Sequence, residues 1–449
     1  MNRRQFTFGL SGAALSHLEA GTHHEAKADA CIFLAMLGGV SQIDTFDPKP
    51  KLVALNGKIM DWSKEKKTDQ PNLFANPRKF VASPFQFQKY GQCGREVSEL
   101  LPHTAKHVDE LAVCRSVQSD NGNHPAAVFQ MNTGFIIPGN PSVGAWVTYG
   151  LGSGNQNLPA FVAMPDFRSI PFSGAQQWGS GYLPAEFQGT ILRASSEPIR
   201  DLASPSDVAP GLLEAEREAL RGMNGGYADL HEDNPDLRAR MNSYELAYRM
   251  QMEVPRVLSI DAEPEKVKAA YGLNDPVTAS FGRRCLMARK LVEAGVRFVE
   301  IFTPSQSWDA HGDIRKNHEK NARETDQPIA ALLADLKQRG MLKRTLVACM
   351  GEFGRTPDTP AEQQIPGRDH NTRCQSMWFA GGGMKGGSII GTTDEIGHKA
   401  VENIYHMHDV HATILHQMGL NDLRLTYYFG GRNRRLTDLG GRVIRELVG

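Results

Sequence analysis

The acids, histidines and glycines of this chain gather at a few places, and each place follows a short apolar run. After residues 30–37 comes GGVSQIDTFDPKP, offering Ser41, Asp44, Thr45 and Asp47. After 111–117 comes QSDNGNHPAA, with Asp120, Asn123 and His124 at the start of a helical pattern. Residues 296–302 lead into TPSQSWDAHGD, which carries Asp309, His311 and Asp313. Residues 345–350 lead into GEFGRTP, with Glu352 and Arg355, and IPGRDHNTR then brings Arg368, Asp369 and His370. Carboxylates and imidazoles without thiolates suit Zn²⁺, Mn²⁺, Ca²⁺ or Mg²⁺. Five or six such ligands are enough for one or two ions, and paired ions clamp the attacking and leaving oxygens of a phosphoryl-type displacement. The guanidinium forks of Arg355 and Arg368 are suited to an oxyanion.

Each piece also has a plain reading. Asp47 before Pro48 reads as a turn residue bonding its own backbone. Glu352 with Arg355 makes an ordinary surface ion pair. The run GGGMKGG (381–387) looks like a phosphate cradle but lacks the spacing of one, and reads as a tight loop. His406, His408, His411 and His416 along the last helix read as solvated or capping groups. The joint pattern is what points to a site.

The apolar runs that precede these clusters must position them. Runs at 30–37, 111–117, 160–164, 296–302, 345–350 and 377–379 read as strands. Helical patterns cover 98–106, 125–132, 210–221, 236–253, 277–294, 314–339 and 409–418. This alternation predicts an α/β fold, a doubly wound and mainly parallel sheet sandwiched by helices. In such sheets ligands bind outside the carboxyl ends of the strands, so clusters remote in sequence converge there. Residues 48–95 read as irregular surface. Residues 165–275 read as a helical and loop cap or insertion on a single domain spanning 29–449.

Composition removes several classes. The 449 residues hold 50 Lys+Arg against 50 Asp+Glu, without the basic surplus a nucleic-acid binder uses. No run approaches the roughly 20 apolar residues of a membrane-spanning helix. Six scattered cysteines without a C-x-x-C pair suit buried small hydrophobes. Arg3 and Arg4 ahead of the weakly apolar residues 6–18, then Ala26 and Ala28, have the layout of a twin-arginine export signal. This layout predicts removal of residues 1–28, a mature chain beginning near Asp29, and a periplasmic or secreted protein.

The motifs together resemble an exported bacterial family known as domain of unknown function fifteen-oh-one, related to the alkaline phosphatase and sulfatase superfamily. The resemblance covers almost the whole chain. It rests on the twin-arginine start, on GGVSQIDTFDPKP (38–50), on His124 ahead of Asn132-Thr133-Gly134, and on Pro141-Ser142 with Gly144. It continues through LVEAGVRFV (291–299), Trp308-Asp309 with His311, EFGRTP (352–357), GRDH (367–370) and Thr393-Asp394-Glu395 with Gly397. Gly430-Gly431-Arg432 and Arg435-Leu436-Thr437-Asp438 complete it.

The resemblance implies a doubly wound sheet and one or two metals beside a Ser, Thr or modified Cys nucleophile. Carried over by position, Asp309, His311, Glu352 and His370 are candidate ligands, and Asp44 is the nearest substitute for the acid usual just after the first strand; Asp369, beside His370, joins the candidates on its residue type. The nucleophile position falls near Asn123 and His124, where no Ser, Thr or Cys stands, and no C-x-P-x-R sulfatase signature exists. That leaves two chemistries open. A metal-bound water attacks with His124 as general acid or base, or Ser41 or Thr45 acts as nucleophile with Arg355 on the oxyanion. The expected protein is an exported hydrolase of a phosphate or sulfate ester, small-molecule or glycan, dependent on Zn, Mn or Ca. The alternative is a non-catalytic envelope protein that binds an anionic glycan or a partner protein.

Overall fold

The computed structural model describes residues 21–60, 77–195, 198–199, 202, 209–231 and 235–449. The arginine pair and apolar stretch of the export signal lie outside the described residues.

The central sheet has nine strands. They are β1 (Ala30–Ala35), β2 (Leu111–Gln118), β3 (Phe161–Met164), β4 (Thr190–Ile191), β5 (Phe298–Phe302), β6 (Thr345–Met350), β7 (Gln375–Ala380), β8 (Ile389–Ile390) and β9 (Tyr405–His406). Their order is β8-β2-β7-β6-β1-β5-β3-β4, with β9 also pairing β2. All pairings are parallel except those of β7, which runs antiparallel to both neighbours. β1 lies at the centre and every residue in it is buried, which is why it reads as a continuous apolar run rather than an alternating one.

Alternate residues of β1 feed two cores. Ile32 and Leu34 face the layer formed by α5 (Ala279–Glu293) and α6 (Ile314–Gln338), through Leu286, Ile329 and Leu332. Cys31, Phe33 and Ala35 face the opposite layer of α1 (His124–Thr133), α2 (Val143–Leu151) and α7 (Met407–Gln417), through Met131, Trp146 and Ile414. The architecture is therefore a helix–sheet–helix sandwich. The 165–275 region holds loops, β4 and two long helices, α3 (Pro210–Leu230) and α4 (Pro235–Val257).

Three local expectations are corrected. Residues 98–106 are not a helix. Arg95–Ser98 pairs as a hairpin with Phe87–Tyr90, and a 3₁₀ segment begins only at Thr104, beyond Pro102. The stretch 48–95 is less irregular than its composition implied, since it also holds the helix Pro50–Leu55 and the strand Arg78–Phe80. Residues 143–151, which sequence pattern assigns to no element, form the short and mostly buried helix α2; Ser142 marks its start by accepting from the Ala145 N–H.

One buried acid is out of place in this sheet. Glu300 of β5 lies between Phe33 and Ala163 in register, is 1% exposed, and its Oε1 has no hydrogen-bond partner. Burial pushes its carboxyl well above the ordinary range. The folded protein therefore holds a proton that the unfolded chain releases above pH ~4.3. Stability falls as pH rises from there toward the folded pKa, by up to about 1.4 kcal/mol per pH unit. Glu300→Gln is expected to remove that slope and raise stability at neutral pH. Urea unfolding of both proteins between pH 5 and 8 checks this, and parallel pH profiles would refute it.

Candidate metal centre

The loop after β1 makes the site possible. Gly38 has φ +115°, and a Cβ there would lie 2.5 Å from the Asp309 nitrogen and 2.6 Å from that of Trp308. Only glycine lets the 303–313 loop close against the end of β1. The Gly38 N–H donates to both Glu352 oxygens at 2.9 and 3.1 Å, tying the end of β1 to the end of β6. Gly354–Arg355 pairs antiparallel with His370–Asn371, which sets His370 beside that junction.

His124 is the first residue of α1, and α1 is held from behind. His411 and His408 of α7 donate to the Met131 and Gly134 carbonyls at the other end of the helix. The α7 histidines were expected to be solvated or capping; His408 and His411 are instead buried, while His406 caps α7. That face of α7 packs on α1, and the ring N–H groups satisfy carbonyls left over at its C-terminus.

Three imidazoles converge on one carboxylate. Ligand atoms of His124, Asp309 and His370 lie within 4.8 Å of one another. His124 Nε2 is 3.4 Å from Asp309 Oδ2, and His370 Nε2 is 3.5 Å from Oδ1. His311 Nε2 stands 3.2 Å from Asp309 Oδ1 and 3.0 Å from His370 Nε2.

The far side of each ring shows which nitrogen is free. His124 Nδ1 meets Glu352 Oε1 at 2.6 Å, His311 Nδ1 meets Asp369 Oδ1 at 2.7 Å, and His370 Nδ1 meets the Gly122 carbonyl at 2.6 Å. A carbonyl and ionised carboxylates only accept, so each Nδ1 carries the hydrogen. In the neutral rings every Nε2 then presents a lone pair toward Asp309. His124 Nε2 is buried without a hydrogen-bond partner, and two such lone pairs facing at 3.0 Å repel unless a cation lies between them.

A proton and a cation compete for these lone pairs. Burial would raise Asp309, but His124 and His370 against its oxygens and the Arg355 charge hold it far below the usual carboxylate range. Burial likewise opposes ionisation of Asp369, yet His311 and Arg78 bring it down to about 2. Burial lowers His370 and keeps its ring neutral. His124 goes the other way: burial lowers it, but Asp309 and Glu352 outweigh burial and raise it. Three imidazole nitrogens with one carboxylate, each ring backed by an acceptor, form a donor set that fits a divalent cation. Among the described residues His124, Asp309 and His370 are the one group of three such side chains close enough to share an ion, with His311 at its edge.

The family model described as "Protein of unknown function (DUF1501)" matches residues 28–448. The chain belongs to that family. Solved structures similar to it include alkaline phosphatase from the Antarctic bacterium TAB5, at 12% identity over 88% of this chain and 99% of that one, with a TM-score of 0.37. The lipoteichoic acid synthase LtaP from Listeria monocytogenes is 9% identical over 94% and 79% of the two chains, with a TM-score of 0.33. The sulfatase PsFucS1 from Pseudoalteromonas sp. is 12% identical over 89% and 69%, with a TM-score of 0.33. No curated protein matches by sequence.

In this DUF1501 chain the expected site residues divide into three groups. Asp309, His311 and His370 stand in the donor cluster, and His124, expected as an acid or base, stands among them. Glu352 and Asp369, expected as ligands, sit behind His124 and His311 and fix their rings. Ser41, Asp44 and Arg355 are corrections. Asp44 is fully buried with its oxygens on Arg368, at 2.7 and 3.1 Å, and on the Ser41 hydroxyl at 2.6 Å. It faces a guanidinium rather than a metal, and the Ser41 proton is committed to it.

Arg355 is also fully buried. It donates to the carbonyls of Gly38, Gly39 and Arg368 and to Asp309 Oδ1, so it clamps the loops and Asp309 and has no fork left for an oxyanion. Arg368 is spent in the same way, on Asp44 and on the Val81 and Thr356 carbonyls. Sequence reasoning missed Arg78, which pairs with Asp369 at 2.5 Å and with Asp358 at 2.8 Å. It lies in a stretch read as irregular surface, with no motif to mark it.

Proposed function

We propose that this protein is a metal-dependent hydrolase of phosphate or sulfate esters, built on one divalent cation of the zinc class at His124, Asp309, His370 and His311. The observation that carries the reading is the set of three imidazoles, each pinned through Nδ1 with its Nε2 aimed at one carboxylate. Nitrogen donors favour zinc over calcium, which prefers oxygen. When bound, the metal supplies positive charge for the ester oxygens and lowers the pKa of a water. The chain's own residues orient and exchange protons. Glu352 and Asp369 hold two of the rings, and Arg355 fixes Asp309. His311 is 51% exposed at its side chain, the most open member of the cluster, so solvent and an ester reach the centre from its side. With Arg355 and Arg368 engaged elsewhere, the charge of the ester is left to the cation. The twin-arginine layout supports action in the periplasm or outside the cell.

Elemental analysis with a panel of aryl phosphates, phosphodiesters and aryl sulfates tests the reading. Bound zinc or manganese and turnover lost to chelator and restored by metal are the expected results. Absence of bound metal, with no gain in Tm on adding Zn²⁺ or Mn²⁺, overturns it. Retained metal without turnover on any ester would instead identify the non-catalytic binding protein.

A further inference from the structure

The predicted export signal ends in Ala26-Lys27-Ala28, a small-x-small triplet of the kind cut by signal peptidases. In the folded protein this triplet is built in. The Lys27 and Ala28 N–H groups both donate to the Gln417 carbonyl at 2.8 Å, and the Ala26 carbonyl accepts from Arg344 at 2.6 Å. The next residue is anchored as firmly. The Asp29 N–H donates to the Arg344 carbonyl at 2.7 Å, its carbonyl accepts from Arg297 at 3.1 Å, and its carboxylate pairs with Arg344. Ala28 is 1% exposed, and β1 begins two residues later at the centre of the sheet. A protease binds its substrate as an extended strand through these same backbone groups.

The anchoring extends back to Gly21. The Gly21 N–H donates to the Gly150 carbonyl at the end of α2, and those of His23 and His24 donate to Gly419 just past α7. His23 Nδ1 accepts from the Asn421 N–H at 2.9 Å, and the His24 ring stacks on His416 with centroids 4.5 Å apart. The groove that receives the segment is floored by glycines. A Cβ on Gly419 would lie 2.8 Å from Thr22 and 2.9 Å from Ala26, one on Gly383 2.7 Å from Lys27, and one on Gly382 3.0 Å from Ala28. Gln417 closes the groove through its side-chain bond to the Gly382 carbonyl. The run GGGMKGG thus has a use: its first glycines make the seat for residues 27 and 28.

We infer that Gly21–Ala28 is a clasp belonging to the mature protein, and that signal processing cuts at or ahead of Gly21, leaving Ala26-Lys27-Ala28 intact. The clasp ties α2, α7 and the β7–β8 loop together at the end of β1 opposite the metal centre, so its removal tests the fold without touching that centre.

Two measurements decide it. The full chain is exported in a bacterium with an active twin-arginine pathway, and the intact mass of the purified product is read. A first residue at or before Gly21 is expected; a chain beginning at Asp29 overturns the proposal. Separately, a chain starting at Gly21 is compared with one starting at Asp29. The shorter chain is expected to melt about 5 °C or more lower, or not to fold, since it loses several backbone hydrogen bonds and the buried Ala28. Equal melting temperatures overturn the proposal as surely. Gly419→Leu adds a check that keeps the chain whole. Displacing Thr22 and Ala26 is expected to open the Lys27–Ala28 bond to trypsin, which the parent resists, and equal cleavage of the two proteins counts against the clasp.

Discussion

Chelator competition is expected to show His370→Ala binding zinc on the order of a hundredfold or more weaker than the parent, and Glu352→Gln about 10–100-fold weaker. The two losses have different causes. His370→Ala deletes one of the nitrogens clustered within 4.8 Å of the others. Glu352→Gln deletes no donor to the metal and conserves shape. Both Glu352 oxygens accept from the Gly38 N–H, and one also receives His124 Nδ1–H at 2.6 Å. The oxygen that takes the shorter Gly38 bond is the one His124 meets, so a glutamine carbonyl there keeps both contacts, but as a neutral acceptor it holds the ring less firmly and leaves Nε2 a weaker donor. The variant should fold normally without metal, with parent-like circular dichroism and an unchanged apo Tm. Unchanged zinc affinity in Glu352→Gln would show that His124 Nε2 is not a ligand.

This prediction could not be written from sequence, although the residues in it could be listed. The strands were legible because burial on both faces makes β1 and β6 almost wholly apolar and leaves β5 broken by Glu300 alone, and the strand-end rule then placed His124, Asp309, Glu352 and His370 near one another. α2 was missed for its length: nine mostly buried residues are too short for pattern alone to mark as a helix. Which carboxylate meets the metal and which stands behind a ring was not legible. Asp309, Glu352 and Asp369 are chemically alike, and they are sorted by contacts spanning 228 residues for Glu352 with His124 and 58 for Asp369 with His311. Asp44 misled for the same reason. It follows the first strand as a ligand should, but a guanidinium 324 residues away claims both its oxygens. Local pattern reports which groups a strand end offers, and the buried counter-charges decide which way each one faces.

That decision has a large energetic signature at Arg368. Its guanidinium is fully buried and makes four hydrogen bonds, two to Asp44 and one each to Val81 and Thr356, while its own carbonyl receives Arg355. Arg368→Met should lower unfolding free energy by about 3–5 kcal/mol at neutral pH, because it strands the Asp44 carboxylate in the interior. The sign of the pH dependence separates this from a packing defect. Burial would raise Asp44, but Arg368, with smaller help from His318 and Ser41, carries it below the unfolded value. In the parent that contribution is present above the unfolded pKa and is lost as pH falls through the folded one. Without Arg368, burial dominates and Asp44 takes up a proton more readily folded than unfolded. The deficit of Arg368→Met should then shrink as pH drops from 7 toward 5, whereas a cavity would cost the same at both. Adding Asp44→Asn should recover part of the loss, because a neutral amide needs no counter-charge and can still accept from Ser41. Urea unfolding of the single and double variants at pH 7 and 5 measures all three quantities. A deficit independent of pH and unrelieved by Asp44→Asn would mean that Arg368 acts by filling space, and that something other than charge pairing turns Asp44 from the metal centre.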